Sequence, residues 1–282
     1  MNYKKMFFPI GGGDELEQRL FGAMLVAKYY NINLEVLKCD SNPNSKIANS
    51  MNIPAHIQKE IDAVLQTQLK DEHDTFFKLF EKVASEVGIK ISSELGEDEA
   101  SVYVETKEGF RSDLVEQSSK FCDLVIAAAP PSGVSTATFE SAVIKSGKPV
   151  LMIPRIMTKF DTKSIVIGWN NSPEASRAVT SCIEILKEAQ RVHIVSSVEY
   201  TKDLADLDKL VKYLQQHGID ASFEIIKTTR IPGQALLNSA LDGNFDLIVA
   251  GAYGHKGLKE LMFGGATRYL LENSTLPVFM SH

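Results

Sequence analysis

The chain has 282 residues, 44% apolar and 23% charged, which suits folded domains and excludes wholesale disorder or a collagen-like chain. At the usual ~100–200 residues per domain, the length points to two domains. The formal net charge is −6, with 17 basic and 22 acidic side chains in residues 1–155 and 13 and 14 in residues 156–282. Neither half carries a basic stripe, which argues against nucleic-acid binding through the phosphate backbone. No uncharged apolar run approaches the ~18 residues of a membrane helix, and the apolar stretch after Lys4-Lys5 is too short for a secretory signal. The expected location is the cytoplasm, with no membrane partner. Cys39, Cys122 and Cys182 stand singly and form no CxxC, as expected of buried thiols in a reducing compartment.

In chain order, the first half reads as strands near 5–10, 34–39, 101–105, 122–128 and 149–153, with helices near 15–30, 56–87, 110–119 and 137–146. The second half reads as strands near 163–169, 191–198, 221–227, 245–251 and 276–281, with helices near 173–188, 202–217, 232–242 and 265–273. The strands are short apolar runs and the segments between them have helical spacing, so both halves imply right-handed βαβ units and buried parallel sheets. The fold class is therefore α/β, as two doubly wound five-stranded domains over 1–155 and 160–282, joined by a short polar linker near Ile156–Thr162.

The halves repeat one another. Phe121-Cys-Asp-Leu-Val-Ile-Ala-Ala resembles Phe245-Asp-Leu-Ile-Val-Ala-Gly, and Lys148-Pro-Val-Leu-Met-Ile resembles Leu276-Pro-Val-Phe-Met-Ser. The first half alone has an insertion at 40–54. A long helical pattern follows it, with Ile57, Ile61, Leu65, Phe76, Phe80, Val83 and Val87 expected to cover the sheet.

The chemistry concentrates after the fourth strand of the second half. Gly251 and Gly254 lie three apart at a predicted strand end; nine residues later, Gly264-Gly265-Ala266-Thr267 opens a helix. The carboxyl edge of an open parallel sheet is where such folds bind ligands. Glycines there let backbone approach a phosphate, and the helix N-terminus favours negative charge. Thr267 and Ser172 would add hydroxyls, and His255 sits inside the glycine motif. The Walker pattern G-x4-G-K-S/T, the dinucleotide pattern G-x-G-x-x-G and the nucleophile elbow G-x-S-x-G are absent, and no histidine pair has zinc spacing. No catalytic residue stands out.

The series G-x2-G-x9-G followed by small and hydroxyl residues, Gly251 to Thr267, resembles the universal stress protein family, as does the opening Val166-Ile-Gly-Trp-Asn-Asn-Ser-Pro-Glu. The resemblance covers the second half fully and the first half more weakly, so the chain is similar to a tandem universal stress protein. It implies a fold like that of the adenine nucleotide alpha hydrolases, with the two domains packed as an intrachain pseudo-dimer through their last strands. It also implies a stress-responsive regulatory protein that binds ATP, ADP or AMP, with or without Mg²⁺, in the C-terminal domain. By position, Gly251 would lie by the ribose and Gly254 by the phosphates. Gly264, Gly265 and Ala266 would hold phosphate through backbone N–H groups, with Thr267 nearby. Asn170 would stand by the ribose and adenine, and Ser197-Val198 would offer backbone groups to the adenine.

Two departures bear on this. Asn170 replaces an aspartate, which removes a charge and leaves a poor Mg²⁺ ligand. Gly265 stands where a serine or threonine is common. The first half departs further: Ala127-Ala-Ala-Pro-Pro-Ser-Gly-Val-Ser-Thr-Ala-Thr-Phe-Glu has lost the glycine pair, and its two prolines remove N–H donors. That half is expected not to bind ATP in the family manner, although Gly11-Gly12-Gly13 could form an anion nest. A nucleotide-free interaction module and a slow ATPase stand as alternative functions. A regulatory partner and a further homodimer remain open.

Overall fold

The computed structural model describes residues 3–10, 14–40, 55–94, 99–199, 204–227, 231–254 and 265–282. The first half runs β1 (Lys5–Pro9), α1 (Leu16–Tyr30), β2 (Asn33–Asp40), α2 (Ala55–Val87), β3 (Lys90–Ile91), β4 (Ser101–Glu108), α3 (Arg111–Ser118), β5 (Leu124–Ala128), α4 (Ala137–Glu140) and β6 (Val150–Ile153). The second runs β7 (Ser164–Trp169), α5 (Pro173–Leu186), β8 (Arg191–Ser197), α6 (Leu204–Gln216), β9 (Ala221–Ile226), α7 (Pro232–Asp242), β10 (Leu247–Gly251), α8 (Ala266–Asn273) and β11 (Val278–Ser281).

The strands form one eleven-stranded sheet in the order β3-β4-β2-β1-β5-β6-β11-β10-β7-β8-β9. Every pairing is parallel except β6 with β11, which run antiparallel with Leu151 opposite Phe279. Each half thus has its first strand between its second and its fourth, and the two halves meet through their last strands. Beyond the five strands expected, the first half adds β3, two residues paired to the outer edge of β4. Its brevity hides it from any periodicity.

The repeated Asp before each fourth strand has a structural reason. Asp123 Oδ2 accepts from the amides of Lys4 and Lys5, and Asp246 Oδ2 accepts from the amide of Ser164. Each carboxylate pins the start of the opening strand to its neighbour.

Alternation along the strands sends side chains to two layers. Met6, Phe8, Leu151 and Phe279 join α1, α2, α5 and α6 on one face; Phe7, Val150, Met152 and Met280 join α3, α4, α7 and α8 on the other. Both layers run unbroken across the joint. Leu151 and Phe279 are at most 1% exposed, and burial of each such side chain is worth about 1.5–3 kcal/mol. Aromatic contacts close the seam on the first face: Tyr29 and Tyr30 pack edge-on against Phe160, and Tyr3 donates to Ser181 O at 2.6 Å.

Helix α2 covers the sheet only with its C-terminal third. Phe76, Phe80, Val83 and Val87 are buried, whereas Val64 and Leu69 are exposed, so the expected cover is shorter than the helix. The helix pattern at 137–146 resolves into α4 and a wider π turn over Ser141–Lys145. Cys122 and Cys182 are buried free thiols, and burial pushes Cys122 up to about 12, leaving it unreactive at neutral pH. The insertion at 40–54 and the glycines at 11–13 lie outside the described residues.

Candidate functional site at the carboxyl edge

In the second half, the crevice between the ends of β7 and β10 is the point where strand order reverses, the place at which doubly wound sheets receive ligands. Helix α5 starts here because Ser172 caps it, its Oγ accepting from Ala175 N at 3.2 Å, with Pro173 in the first turn. Asn170 Oδ1 accepts from Ser172 N at 3.2 Å, so it shapes the turn that delivers the cap. Both side chains thus have structural duties.

Gly251 closes β10 directly against that helix start. A Cβ there would lie 2.6 Å from Ala175 N and 2.8 Å from the carbonyl carbon of Glu174, so no side chain fits. At Gly254 a Cβ would meet, among the described residues, the Glu174 carboxylate, with Oε2 at 3.5 Å, an ordinary contact. The strand end is stripped of side chains for packing at Gly251, whereas at Gly254 no described residue stands closer than an ordinary contact.

Helix α8 begins beside it. Its cap residue, Gly265, has no side chain to bond the first helical amides. The helix is held from three directions. Thr267 Oγ1 accepts from Tyr253 N at 3.4 Å. Gly233 of α7 sits so close that a Cβ would be 2.6 Å from Ala266 O. From the first half, Gly133 packs on Glu272, where a Cβ would be 2.5 Å from its Cα. Tyr253 is buried, and its hydroxyl lies 3.1 Å from Ser135 Oγ, also in the first half. Burial raises that phenol to about 12, so it stays protonated.

The structure therefore brings Asn170, Ser172, Gly251, Gly254, Gly265, Ala266 and Thr267 to one edge. Ser197 and Val198 lie at the end of the adjoining β8. Ser197 Oγ is buried without a hydrogen-bond partner, a group that an incoming polar ligand would satisfy. Val198 differs from expectation: its N–H donates to Ile226 O at 3.3 Å, continuing the ladder with β9, so its amide is already committed. His255 and Gly264 lie outside the described residues. Sequence reasoning missed Glu174, a buried carboxylate on the first turn of α5, with Oε1 accepting from Arg177 Nη2 at 3.1 Å. The signal was there in Ser-Pro-Glu, since an acidic residue suits the first turn after a serine cap. Among the described residues, no three His, Cys, Asp or Glu side chains gather as a metal site.

The first half builds the equivalent crevice differently. Ala128 stands where the second half has Gly251, and Pro130 and Pro131 lead into a tight turn at Pro131–Gly133. Arg155 then clamps the edge: its Nη1 donates to Ala129 O at 3.2 Å, its Nη2 to Asp14 O at 2.9 Å, and its Nε to Glu15 Oε2 at 2.5 Å.

Two doubly wound halves sharing one sheet, with a glycine-lined edge in the second, define a tandem α/β protein. Residues 161–282 match the model of the Universal stress protein family. The chain is 24% identical to Universal stress protein Slr1230 of a Synechocystis strain over 287 residues, 98% of either chain. In structure it resembles a universal stress protein from Archaeoglobus fulgidus (TM-score 0.69, 17% identity, 99% of this chain and 98% of that one). It also resembles a functionally unknown protein from Pseudomonas aeruginosa PAO1 (TM-score 0.52, 14% identity, 99% and 92%). The chain is thus similar to universal stress proteins along its length, and it is the second half that matches the family model. No helix among the described residues is long and apolar enough to cross a membrane.

Proposed function

We propose that this protein is a stress-responsive regulator whose second half, residues 160–282, binds one adenine nucleotide, while the first half, residues 1–155, is a degenerate copy that does not. The observation that carries this reading is the uncapped start of α8 beside a strand end without side chains at Gly251 and Gly254. The N-terminal amides of a helix and its dipole favour a phosphate there. Gly265, Ala266 and Thr267 would face the phosphates with His255 and Gly264, and Asn170 and Ser172 the ribose. The unsatisfied Ser197 hydroxyl would serve the base in place of the committed Val198 amide. Glu174, beneath Gly254, is a carboxylate that a Mg²⁺ carried on the phosphates would offset.

The test is to denature the purified protein, separate any released nucleotide by chromatography, and titrate the empty protein with ATP. One adenine nucleotide per chain is expected, and two would mean that the first half also binds. An empty protein that takes up no ATP would make it an interaction module instead. Gly254→Ala separates binding from folding. Its methyl finds an ordinary 3.5 Å contact, so stability should hold within about 0.5 kcal/mol while nucleotide affinity falls at least ~10-fold.

A further inference from the structure

The first half, having lost the glycine pair, has a cavity of about 130 Å³ at its own strand-reversal crevice, between the ends of β1 at Pro9 and β5 at Ala128. That is below the ~300–1,000 Å³ of pockets that enclose drug-sized ligands, and of a size for a small anion. Three guanidinium groups line it: Arg19 from α1, Arg111 from the start of α3, and Arg155 after β6. Arg19 is buried and Arg111 and Arg155 are half-buried, and bringing three cations together there is costly.

Glu15 and Asp14 are the acidic residues acting on Arg19. Arg19 is 3% exposed, and burial followed by the repulsion of Arg155 holds its guanidinium below the ordinary value, with Glu15 acting against them. Glu15 is already paired with Arg155 Nε. Arg111 Nε is buried and has no hydrogen-bond partner, a donor left without an acceptor beside the cavity. Such a donor costs stability unless something accepts from it. Planar, permanently charged guanidinium forks suit a tetrahedral oxyanion, to which they donate in pairs. Thr138, also on the lining, can add a hydroxyl.

We propose that this cavity is an oxyanion site, taking inorganic phosphate or the phosphoryl group of a small phosphomonoester, with Arg19, Arg111 and Arg155 as its donors. The degenerate half has exchanged a cradle of backbone amides for one of arginine side chains. The site is independent of any nucleotide in the second half.

The experiment is calorimetric titration of the full chain with inorganic phosphate, and separately with glycerol 3-phosphate, at ionic strength fixed with sodium chloride. Saturable phosphate binding is expected, weakened about tenfold or more in Arg111→Gln, with ATP affinity unchanged. Arg111→Lys, which keeps the charge but not the fork, should fall between, and circular dichroism of both variants should match the parent. Binding of glycerol 3-phosphate as well would identify a phosphomonoester as the occupant, and binding of phosphate alone the free ion. Absence of saturable phosphate binding, or equal phosphate binding by Arg111→Gln, would overturn the proposal. A protein that binds no ATP yet loses phosphate in Arg111→Gln would overturn only the nucleotide reading.

Discussion

The two carboxyl edges of this sheet started from one plan and ended with opposite solutions. In the second half, β10 ends at Gly251, jammed against the start of α5, and the chain arrives at α8 through glycines. In the first half, β5 ends at Ala128, two prolines follow, and Arg155 bolts the edge to the turn before α1. The difference teaches that the fold does not need glycine at the end of the fourth strand. It needs glycine where the first helix comes close enough to touch that strand. Among the described residues, the second half keeps bare backbone at its edge, and the first covers its own with side chains.

The halves are also coupled at these edges, and substitutions there should test both the contrast and the coupling. The largest effect is expected from Gly133→Ala. Its φ is +67°, and the new Cβ would stand 2.1 Å from Glu272 Cγ. Left-handed strain plus a backbone clash should cost about 2–4 kcal/mol, read from the shift in urea midpoint. Gly251→Ala comes next, at about 1–3 kcal/mol, because the Cβ would press on the α5 backbone. The reverse exchange in the first half, Ala128→Gly, should cost only about 0.5–1 kcal/mol. If the two exchanges cost the same, the asymmetry described here is wrong.

Tyr253→Phe should cost about 1 kcal/mol by losing the hydroxyl contact to Ser135. Combined with Ser135→Ala, the loss should be smaller than the sum, a coupling measurable by a double-mutant cycle. The smallest effect concerns the linker. Asp161 accepts from Tyr29 Oη, Thr162 N and Lys163 N; burial alone would raise its carboxyl, but these bonds and the Lys163 ammonium hold it low. A depressed value means stability that is present above the ordinary aspartate value of about 4 and lost as pH falls through the lower folded one. Asp161→Asn should therefore flatten the acid limb of the stability profile below about pH 4, and leave its slope at neutral pH unchanged.

Much of the architecture could be read from the residues. The paired Asp-led apolar runs gave away the repeat because each Asp anchors its sheet, and the strand cores at 124–128 and 247–251 fell within the expected runs. Local signals reach only what one stretch of chain builds, as at Gly251 and Gly254. The arginine cavity was invisible because Arg19, Arg111 and Arg155 come from three separate segments and meet only through the topology. Glu174 escaped because its importance depends on what lies above it, and the ladder bond of the Val198 N–H could not be read from spacing. The outward half of α2 kept helical spacing at Ile61 and Leu65 without a sheet beneath it to explain them.

The antiparallel joint between β6 and β11 has one more consequence. In a pair of separate chains such a seam would form and dissolve with dilution, and its melting temperature would follow protein concentration. Here both strands belong to one polypeptide, so the partner is always at hand and mass action has no hold on the seam. The pairing therefore outlasts any fall in cellular abundance, which frees the two halves to diverge: the second need not find an identical copy of itself, and the first is released from having to be one.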